Sequence, residues 1–410
     1  MNNVHVFTSA AANYLPKVRV LFETIKQHHP EWHLHLLLVE EVEGGIRNAV
    51  GLDAEITLAK DLNIPSWASW SFCHSIVELC TAVKPFMLEN LLCREDVTSV
   101  LYFDPDIAIY SRLDDLSAEF DRASLLLTPH QCEPEVDLEA VISHEITSLQ
   151  RGIYNLGFIG IKADEEGRAF AQWWRQRLYY FCRDDISNGL FTDQKWIDFV
   201  PAFFSNVSIL RSPRFNVAAW NLNRRKLSMS ANGAYLVNDQ PLGFYHFTGV
   251  DSRNHELMLL KFPEQRRIVT SLITGYMDRL RANGEGAVNP LWTYGVFSGG
   301  KKIKNLHRAL YRDDPALQEK LDNPWVESEK FERLADNVNG QKAAFISLGY
   351  IGGEKPMALR WFFETIYRLC KNPRLIRDFM RAAKHIFSTE GFDGLRRRLM
   401  SKKDFFRNDN

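Results

Sequence analysis

The chain lacks several features that mark particular classes of protein. Its 6 cysteines among 410 residues form no Cys-x-x-Cys pair, which argues against a zinc knuckle or a disulfide framework. Basic and acidic residues nearly balance, 50 against 51, so no net charge draws the chain toward nucleic acid. The first residues show neither the basic start nor the apolar run of a signal peptide, and no segment reaches the ~20 apolar residues that cross a bilayer. We therefore expect a cytoplasmic protein.

Two aspartates, Asp104 and Asp106, follow the apolar run of residues 99–103 directly. Residues two apart share a strand face, so the sequence predicts that both carboxylates point outward together. Without a partner, the two carboxylates would repel each other. A Mg²⁺ or Mn²⁺ ion placed between them and a pyrophosphate would have the oxygen ligands that such ions prefer. A surface turn that only breaks the chain is the alternative interpretation of Asp-Pro-Asp.

Short apolar strands alternate with amphipathic helices along the first part of the chain. This alternation predicts an α/β fold with a mostly parallel sheet. Ligands of such sheets gather at the carboxyl ends of the strands, where Asp104 and Asp106 lie. The predicted strands are residues 4–8, 33–39, 99–103, 124–128, 154–161 and 242–247; the predicted helices are residues 16–27, 75–92 and 164–181, and Thr192 is the expected N-cap of a further helix.

The sequence divides into two predicted regions. We predict a catalytic domain at residues 1–280 and a helical region at residues 290–410, joined by the small, polar, glycine-rich segment 281–286. Between residues 371 and 407, 11 basic residues are interleaved with apolar ones. A basic amphipathic tail of this kind suits peripheral contact with the inner face of an anionic membrane. A helix pair that caps the domain, or a flexible tail, fits the same pattern.

His246 is a third candidate ligand. It follows the aromatic strand Gly243-Phe244-Tyr245 and precedes Phe247-Thr248-Gly249. A neutral imidazole beside two carboxylates favours Mn²⁺ over Mg²⁺, and Gly249 would let a phosphate approach the backbone closely. The alternative is a hydrogen-bonded core histidine.

These motifs occur together with others in a fixed order along residues 3 to 275. The set comprises Asn13-Tyr14, Asp104-Pro105-Asp106, Asn155-Leu156-Gly157, Asp193-Gln194, Phe215-Asn216 and His246-Phe247-Thr248-Gly249. It resembles the metal-dependent, retaining glycosyltransferases of the glycogenin and bacterial lipopolysaccharide galactosyltransferase family. The resemblance implies a GT-A fold, that is, a Rossmann-like mixed sheet flanked by helices, with a C-terminal helical extension. It also implies retaining transfer of a hexose from a nucleotide sugar to a glycan or lipid-linked acceptor in cell-surface polysaccharide biosynthesis.

The resemblance further implies roles for individual residues. Asp104, Asp106 and His246 would hold Mn²⁺ or Mg²⁺. The catalytic set facing the donor sugar and the reacting centre would be Asp193, Gln194 and Asn155. The remaining donor-binding residues would be Thr8, Ser9, Asn13, Lys84, Gly157 and Gly249.

Two segments depart from the family pattern. Ala10-Ala11-Ala12 stands where relatives carry acidic residues that hold the base, so UDP is favoured over GDP only through the resemblance. Val250-Asp251-Ser252-Arg253 replaces a Lys-Pro-Trp sequence, which removes a phosphate-contacting lysine. Arg253, Arg224 and Arg225 are the candidate replacements by residue type.

The acceptor side has weaker candidates. His130 either contacts an acceptor hydroxyl or is a buried structural histidine. Three tryptophans are candidates for stacking on sugar rings, with the core as the default: Trp67, Trp70 and Trp220. Glu133 and Glu135 are expected in a solvated loop.

Other functions remain open at this stage. A nucleotidyltransferase would carry a glycine-rich, basic loop after the first strand, but residues 8–14 contain neither glycine nor lysine. A phosphatase with Asp104 as nucleophile would need a downstream lysine and paired acids, and no such set is found. The third alternative is a non-catalytic scaffold of the sugar-nucleotide fold that docks at the membrane through its basic tail.

Overall fold

The structure is a computed structural model that describes residues 3–41, 53–250, 263–284 and 291–334, except 322 and 327. The chain divides into two compact units, Met1–Asn339 and Gly340–Asn410. The predicted basic tail at residues 371–407 lies outside the described residues. The boundary predicted near residue 280 stays a prediction.

A seven-stranded sheet forms the centre of the first unit. The strands of the described chain are β1 Val4–Ala10, β2 His33–Leu38, β3 Glu55–Leu58, β4 Ser99–Phe103, β5 Ile107–Ile109, β6 Leu125–Pro129, β7 Tyr154–Lys162, β8 Asp184–Asp185, β9 Leu190–Phe191, β10 Val207–Ile209, β11 Leu227–Met229, β12 Tyr235–Val237, β13 Gln240–Pro241 and β14 Phe244–His246.

The order of strands in this sheet is β10-β6-β7-β4-β1-β2-β3. The β1 strand pairs in parallel with β2 and β4, whereas β7 runs antiparallel between β4 and β6. The predicted α/β class, a mostly parallel, Rossmann-like mixed sheet flanked by helices, is confirmed.

Helices cover both faces of the sheet. They are α1 Leu15–His28, α2 Trp67–Phe72, α3 Ile76–Ala82, α4 Lys84–Leu92, α5 Asp114–Glu119, α6 Leu138–Ala140, α7 Thr147–Arg151, α8 Glu165–Phe181, α9 Val200–Phe203, α10 Arg266–Ala282, α11 Asn305–Asp313 and α12 Pro315–Lys320. A π-helical turn, Val141–Ile146, joins α6 to α7.

The two faces of the sheet belong to separate cores. Phe7 and Tyr102 pack with α4 and α8 on one face, and Val6 and Phe103 pack with α1 on the other. Because both faces are covered, β1 and β4 are buried along their whole length, which accounts for their nearly continuous apolar sequences.

Two local predictions differ from the structure. The predicted helix 75–92 is interrupted at Val83, where α3 ends and α4 begins. Pro85 lacks a backbone N–H and its ring crowds the preceding turn, so the helix cannot run through it undisturbed. Thr192 is not an N-cap: its φ is +44°, and its hydroxyl donates to the side chain of its neighbour Asp193.

The segment 291–334 packs onto α2. Phe72 lies in a core with Phe297, Tyr311 and Phe331, and the buried Arg308 donates to the backbone oxygens of Phe72 and Tyr294. The helices α11 and α12 therefore belong to the first unit. Within the described residues, every helix is too short or too polar to cross a membrane.

Acid should destabilise the fold through two buried histidines. His5 Nδ1 on β1 lies 2.8 Å from His35 Nε2 on β2, and burial lowers the pKa of each imidazole to about 4. An unfolded histidine titrates at about 6.5, so between these values the unfolded state binds more protons and stability falls as pH falls. We expect the midpoint of thermal unfolding, followed by circular dichroism, to drop over this interval.

The double variant His5→Leu/His35→Leu should show a shallower drop, because an apolar pair takes up no proton. His33→Gln, at the exposed start of β2, is the comparison variant: it removes a neighbouring charge that adds to the effect of burial on both rings, and it should keep most of the wild-type slope. If the double variant kept that slope too, other groups would be responsible for the acid sensitivity.

Candidate active site

One turn and a short ribbon bring the three predicted metal ligands together. Asp104 and Asp106 lie in the turn between β4 and β5, rather than on a strand face as expected. The β14 strand pairs antiparallel with β5 and sets His246 opposite Ile107. His246 Nε2 lies 3.1 Å from Asp106 Oδ1 and 3.8 Å from Asp104 Oδ2.

His246 and Asp106 shift each other's pKa in opposite directions. Burial disfavours the imidazolium of His246, but the carboxylates of Asp106 and Asp104 outweigh burial and raise the pKa of His246. Burial also disfavours the Asp106 carboxylate, yet the adjacent His246 holds the pKa of Asp106 below its usual range. The two groups therefore stabilise each other's charged forms.

The donor set fits a divalent cation. Candidate ligand atoms of Asp104, Asp106 and His246 all lie within 4.8 Å of one another. Two carboxylates and one imidazole suit Mn²⁺ better than Mg²⁺, which prefers oxygen ligands alone. The identity of the ion stays a prediction.

A buried lysine connects this cluster to Asp193. Lys84, at the start of α4, places its Nζ 3.0 Å from Asp193 Oδ2 and 3.4 Å from Asp104 Oδ1. The ammonium also lies 4.1 Å from the centroid of the Tyr102 ring, and the Tyr102 hydroxyl donates to Asp104. Burial opposes the charge on Lys84, but the carboxylates of Asp104 and Asp193 outweigh it and raise the pKa of Lys84. At Asp193 burial prevails over the lysine and raises the pKa of the carboxyl.

The amino end of β7 supplies the neutral part of the site. Because β7 is antiparallel to β4, its first residues lie beside the Asp104 turn, and the Asp104 N–H donates to the Gly157 carbonyl. Gln194 is fixed at both ends of its amide: Oε1 accepts from the Leu156 N–H and Nε2 donates to the Arg151 carbonyl. The Asn155 side chain lies between Gln194 and His246.

These residues line one cleft of about 1160 Å³. Most of the predicted site residues border it: Ser9, Asn13, Lys84, Asp104, Asp106, Asn155, Gly157, Asp193, Gln194 and His246. Thr8 and Gly249 are not among its lining residues. Thr8 is fully buried within β1, and Gly249 follows the lining residue Thr248 at a φ of +68°.

Two of the three candidate replacements for the missing lysine do not line the described cleft. Arg225 is buried and donates to the Phe215 carbonyl and the Cys132 sulfur, and Arg224 donates to the Pro134 carbonyl. Neither lines the described cleft, so their expected role at the phosphates is wrong. Arg253 lies outside the described residues. The described cations on the cleft wall are Lys84, Arg151, Arg308 and Arg312.

Of the candidates for the acceptor side, some line the cleft and others pack in the core. Trp220 lines the cleft, with its ring centroid 5.4 Å from that of His246. Trp67 and Trp70 pack in the core of one sheet face. His130 also lines the cleft, but its Nδ1 faces the Ile153 carbonyl and its Nε2 faces the Asn155 amide. Burial lowers the pKa of His130 to about 4, so the ring is neutral.

The prediction of a solvated loop is wrong for Glu135. Its side chain is only 2% exposed, lies 2.6 Å from His144 Nδ1 and accepts from Asn223. His144 lines the cleft and was missed by sequence reasoning. The sequence carries little sign of this contact, because Glu135, His144 and Asn223 meet only in the folded chain.

Comparisons with known proteins add the following. No family model matches the chain. It is 30% identical over 175 residues to YfnF, an uncharacterized protein of Bacillus subtilis (strain 168), over 42% of this chain and 56% of YfnF. The chain thus spans just over half the length of that relative. YfnD of the same organism, also uncharacterized, is 24% identical over 254 residues, 61% of this chain and 78% of YfnD.

Similar solved structures include two glycosyltransferases. Galactosyltransferase LgtC, in complex with donor and acceptor sugar analogs, is 16% identical with a TM-score of 0.41, over 68% of this chain and 95% of LgtC. Mouse xyloside xylosyltransferase 1 in its apo form is 12% identical with a TM-score of 0.36, over 62% of this chain and 98% of its own. At these TM-scores the likeness bears on no residue's role.

Gly157→Ala should displace His246 and weaken metal binding. The added Cβ would lie 2.4 Å from His246 Cε1 and 2.6 Å from its Nδ1, so the buried ring has to move. We expect the affinity for Mn²⁺, measured by electron paramagnetic resonance of the free ion, to fall by about 10–100-fold. Gly275→Ala in α10 is the control, since its Cβ meets nothing within 4 Å, and it should gain about 0.5–1 kcal/mol of stability. Equal Mn²⁺ affinities in the two variants would contradict the packing of His246.

Removing Lys84 alone should destabilise the protein more than removing it together with its partner. Lys84→Met leaves the buried Asp193 carboxyl without its cation, and breaking a buried pair typically costs about 3–5 kcal/mol. Urea unfolding should show a loss of this order for Lys84→Met and a partial recovery for Lys84→Met/Asp193→Leu. A double variant no more stable than Lys84→Met would contradict this expectation.

Proposed function

We propose that the protein is a metal-dependent glycosyltransferase that moves a hexose from a nucleotide sugar, favoured as UDP-linked, to a glycan or lipid-linked acceptor with retention at the sugar carbon. The observation that carries the proposal is the convergence of Asp104, Asp106 and His246 at one rim of a cleft that also contains Lys84 and Asp193. A lone Asp-x-Asp turn would not require a histidine and a buried lysine from distant segments.

The bond to be broken determines what these residues would do. Departure of a nucleoside diphosphate builds negative charge on its terminal phosphate, and a divalent cation held by Asp104, Asp106 and His246 would supply a Lewis acid there. The raised pKa of Lys84 keeps its ammonium charged next to the same turn. Preorganised positive charge of this kind stabilises a leaving group without reorganisation during the reaction.

The sugar carbon gains positive charge as the phosphate leaves. Asp193 lines the cleft and is 3% exposed, so its carboxyl acts in an environment where water screens little. Gln194 presents an amide whose orientation is fixed by the Leu156 N–H and the Arg151 carbonyl. We assign both to the face of the donor sugar. No covalent nucleophile is assigned.

The size of the cleft suits two substrates. Its volume of about 1160 Å³ exceeds the ~300–1,000 Å³ typical of a site for one small ligand. Ser9 and Asn13 border one side, near the carboxyl end of β1, and we place the nucleoside there. Gln131, His144 and Trp220, from later segments of the chain, also line the cleft, and we assign them to the acceptor. A role in surface-polysaccharide assembly in the cytoplasm, with peripheral membrane contact through residues 371–407, is part of the same proposal.

Calorimetric titration of nucleotides tests this function directly. UDP, GDP and their common hexose conjugates are titrated into the protein with Mn²⁺ and with EDTA. We expect one nucleotide to bind only with Mn²⁺, and Asp104→Asn/Asp106→Asn to weaken that binding by at least about 100-fold, since two charged ligands are lost.

A second acidic cluster supplies a matched control. Glu31 and Asp114 lie near His29, but Arg112 pairs with both carboxylates. Glu31→Gln/Asp114→Asn should therefore leave nucleotide binding unchanged. Acceptor-free hydrolysis of the donor, followed by nuclear magnetic resonance of the sugar, then separates a working transferase from a binding scaffold. If no nucleotide bound under any of these conditions, the proposed function would be refuted.

A further inference from the structure

The orientation of the Asn155 amide is fixed by a backbone group. The Gly157 N–H lies 3.1 Å from Asn155 Oδ1, and a backbone N–H only donates, so the side-chain atom facing it is the oxygen rather than the nitrogen. Asn216 Nδ2 lies 3.1 Å from the same oxygen. Asn216 is fully buried and adopts a left-handed φ of +52°, a conformation that asparagine tolerates better than most residues.

The fixed oxygen determines which nitrogen of His246 carries a proton. His246 Nδ1 lies 3.2 Å from Asn155 Oδ1. Two acceptors facing each other would repel, so Nδ1 carries hydrogen and donates it to Asn155. In the neutral ring the lone pair then belongs to Nε2, the nitrogen that faces Asp106 and Asp104. A metal ligand usually has its other ring nitrogen fixed in this manner by a carboxylate or carbonyl oxygen.

The nitrogen of the Asn155 amide is also occupied by contacts within the protein. Its Nδ2 lies 3.2 Å from His130 Nε2 and 3.4 Å from Gln194 Oε1. His130 Nδ1 faces the Ile153 carbonyl, so His130 Nε2 is free to accept. An amide oxygen offers two lone pairs and an amide nitrogen two hydrogens. Contacts within the protein therefore occupy the hydrogen-bonding capacity of Asn155 and leave none for a sugar hydroxyl.

We propose that Asn155 is a positioning residue that keeps a proton on His246 Nδ1 and thereby turns Nε2 toward Asp104 and Asp106. This assignment replaces the expected contact of Asn155 with the donor sugar. It rests on the proposed function, because it concerns the same cation site, but its first test needs neither metal nor nucleotide.

Nuclear magnetic resonance of ring nitrogens in ¹⁵N-histidine-labelled, metal-free protein is the test. Among the signals of the 12 histidines, those of His246 and His130 are identified by their loss in His246→Gln and His130→Gln. We expect His246 Nδ1 to stay protonated between about pH 6 and 9, whether or not Nε2 is also protonated. Asn155→Asp keeps the acceptor and should keep this proton, while His130 loses its donor and changes its signal. In Asn155→Leu, the neutral ring should shift its proton to Nε2, where Asp106 accepts it.

Mn²⁺ alone provides a second readout. Electron paramagnetic resonance should show a loss of affinity of about 10–100-fold in Asn155→Leu, the range found for partners of metal-bound histidines, and no loss in Asn155→Asp. Asn305→Ala, which also changes an asparagine on the cleft wall, is the matched control and should keep both the Nδ1 proton and the Mn²⁺ affinity.

Two results would overturn the proposal. One is an unprotonated Nδ1 in the neutral ring of the wild-type protein, a measurement that depends on no variant folding. The other is an Asn155→Leu protein, folded by circular dichroism, in which His246 keeps its Nδ1 proton. A wild-type protein that binds no Mn²⁺ and no nucleotide, yet shows a protonated Nδ1, would refute the proposed function while leaving the role of Asn155 in orienting His246 in place.

Discussion

The packing of three carboxyl groups, two of them buried, around one lysine and one histidine is the constraint on which the rest of the site depends. Asp106 and Asp193 would be costly in the interior if they were unpaired, whereas Asp104 beside them is partly exposed. Lys84 lies within 3.4 Å of Asp104 and Asp193, and His246 lies within 3.8 Å of Asp104 and Asp106. The three carboxyl groups outnumber these two basic side chains, so the cluster favours a further positive charge in the cleft.

The scaffold assembles this cluster from distant parts of the chain. Lys84 begins α4, the two aspartates follow β4, and His246 arrives on β14 after the sheet is complete. The β14 strand is held to β5 by a short ladder, and a core containing Tyr245 and Phe247 packs behind it against α10. Apolar residues on either side of His246 thus support its imidazole ring.

Local patterns in the sequence predicted the sheet and the aspartate pair but not the contacts that join them. The apolar runs of β1 and β4 are visible in the sequence because helices cover both of their faces. His246 was predicted from its position between an aromatic strand and Gly249, whereas Asp193 was found by resemblance, since it lies in no pattern of its own. The pairing of Lys84 with Asp193, and of Glu135 with His144, is a product of tertiary packing and leaves no local trace. Arg225 shows the converse: its charge suggested phosphate, whereas the fold uses it to satisfy a carbonyl and a sulfur.

The reversed direction of β7 has a consequence for the entropy of ligand binding. In an all-parallel sheet, the residues at this rim would come from loops that leave the strands. Here the chain enters the sheet at the rim, so Asn155 and Gly157 belong to β7, a strand that pairs with β4 on one side and with β6 on the other. A substrate that binds against them does not have to freeze a loop first, because the order was already established when the sheet folded.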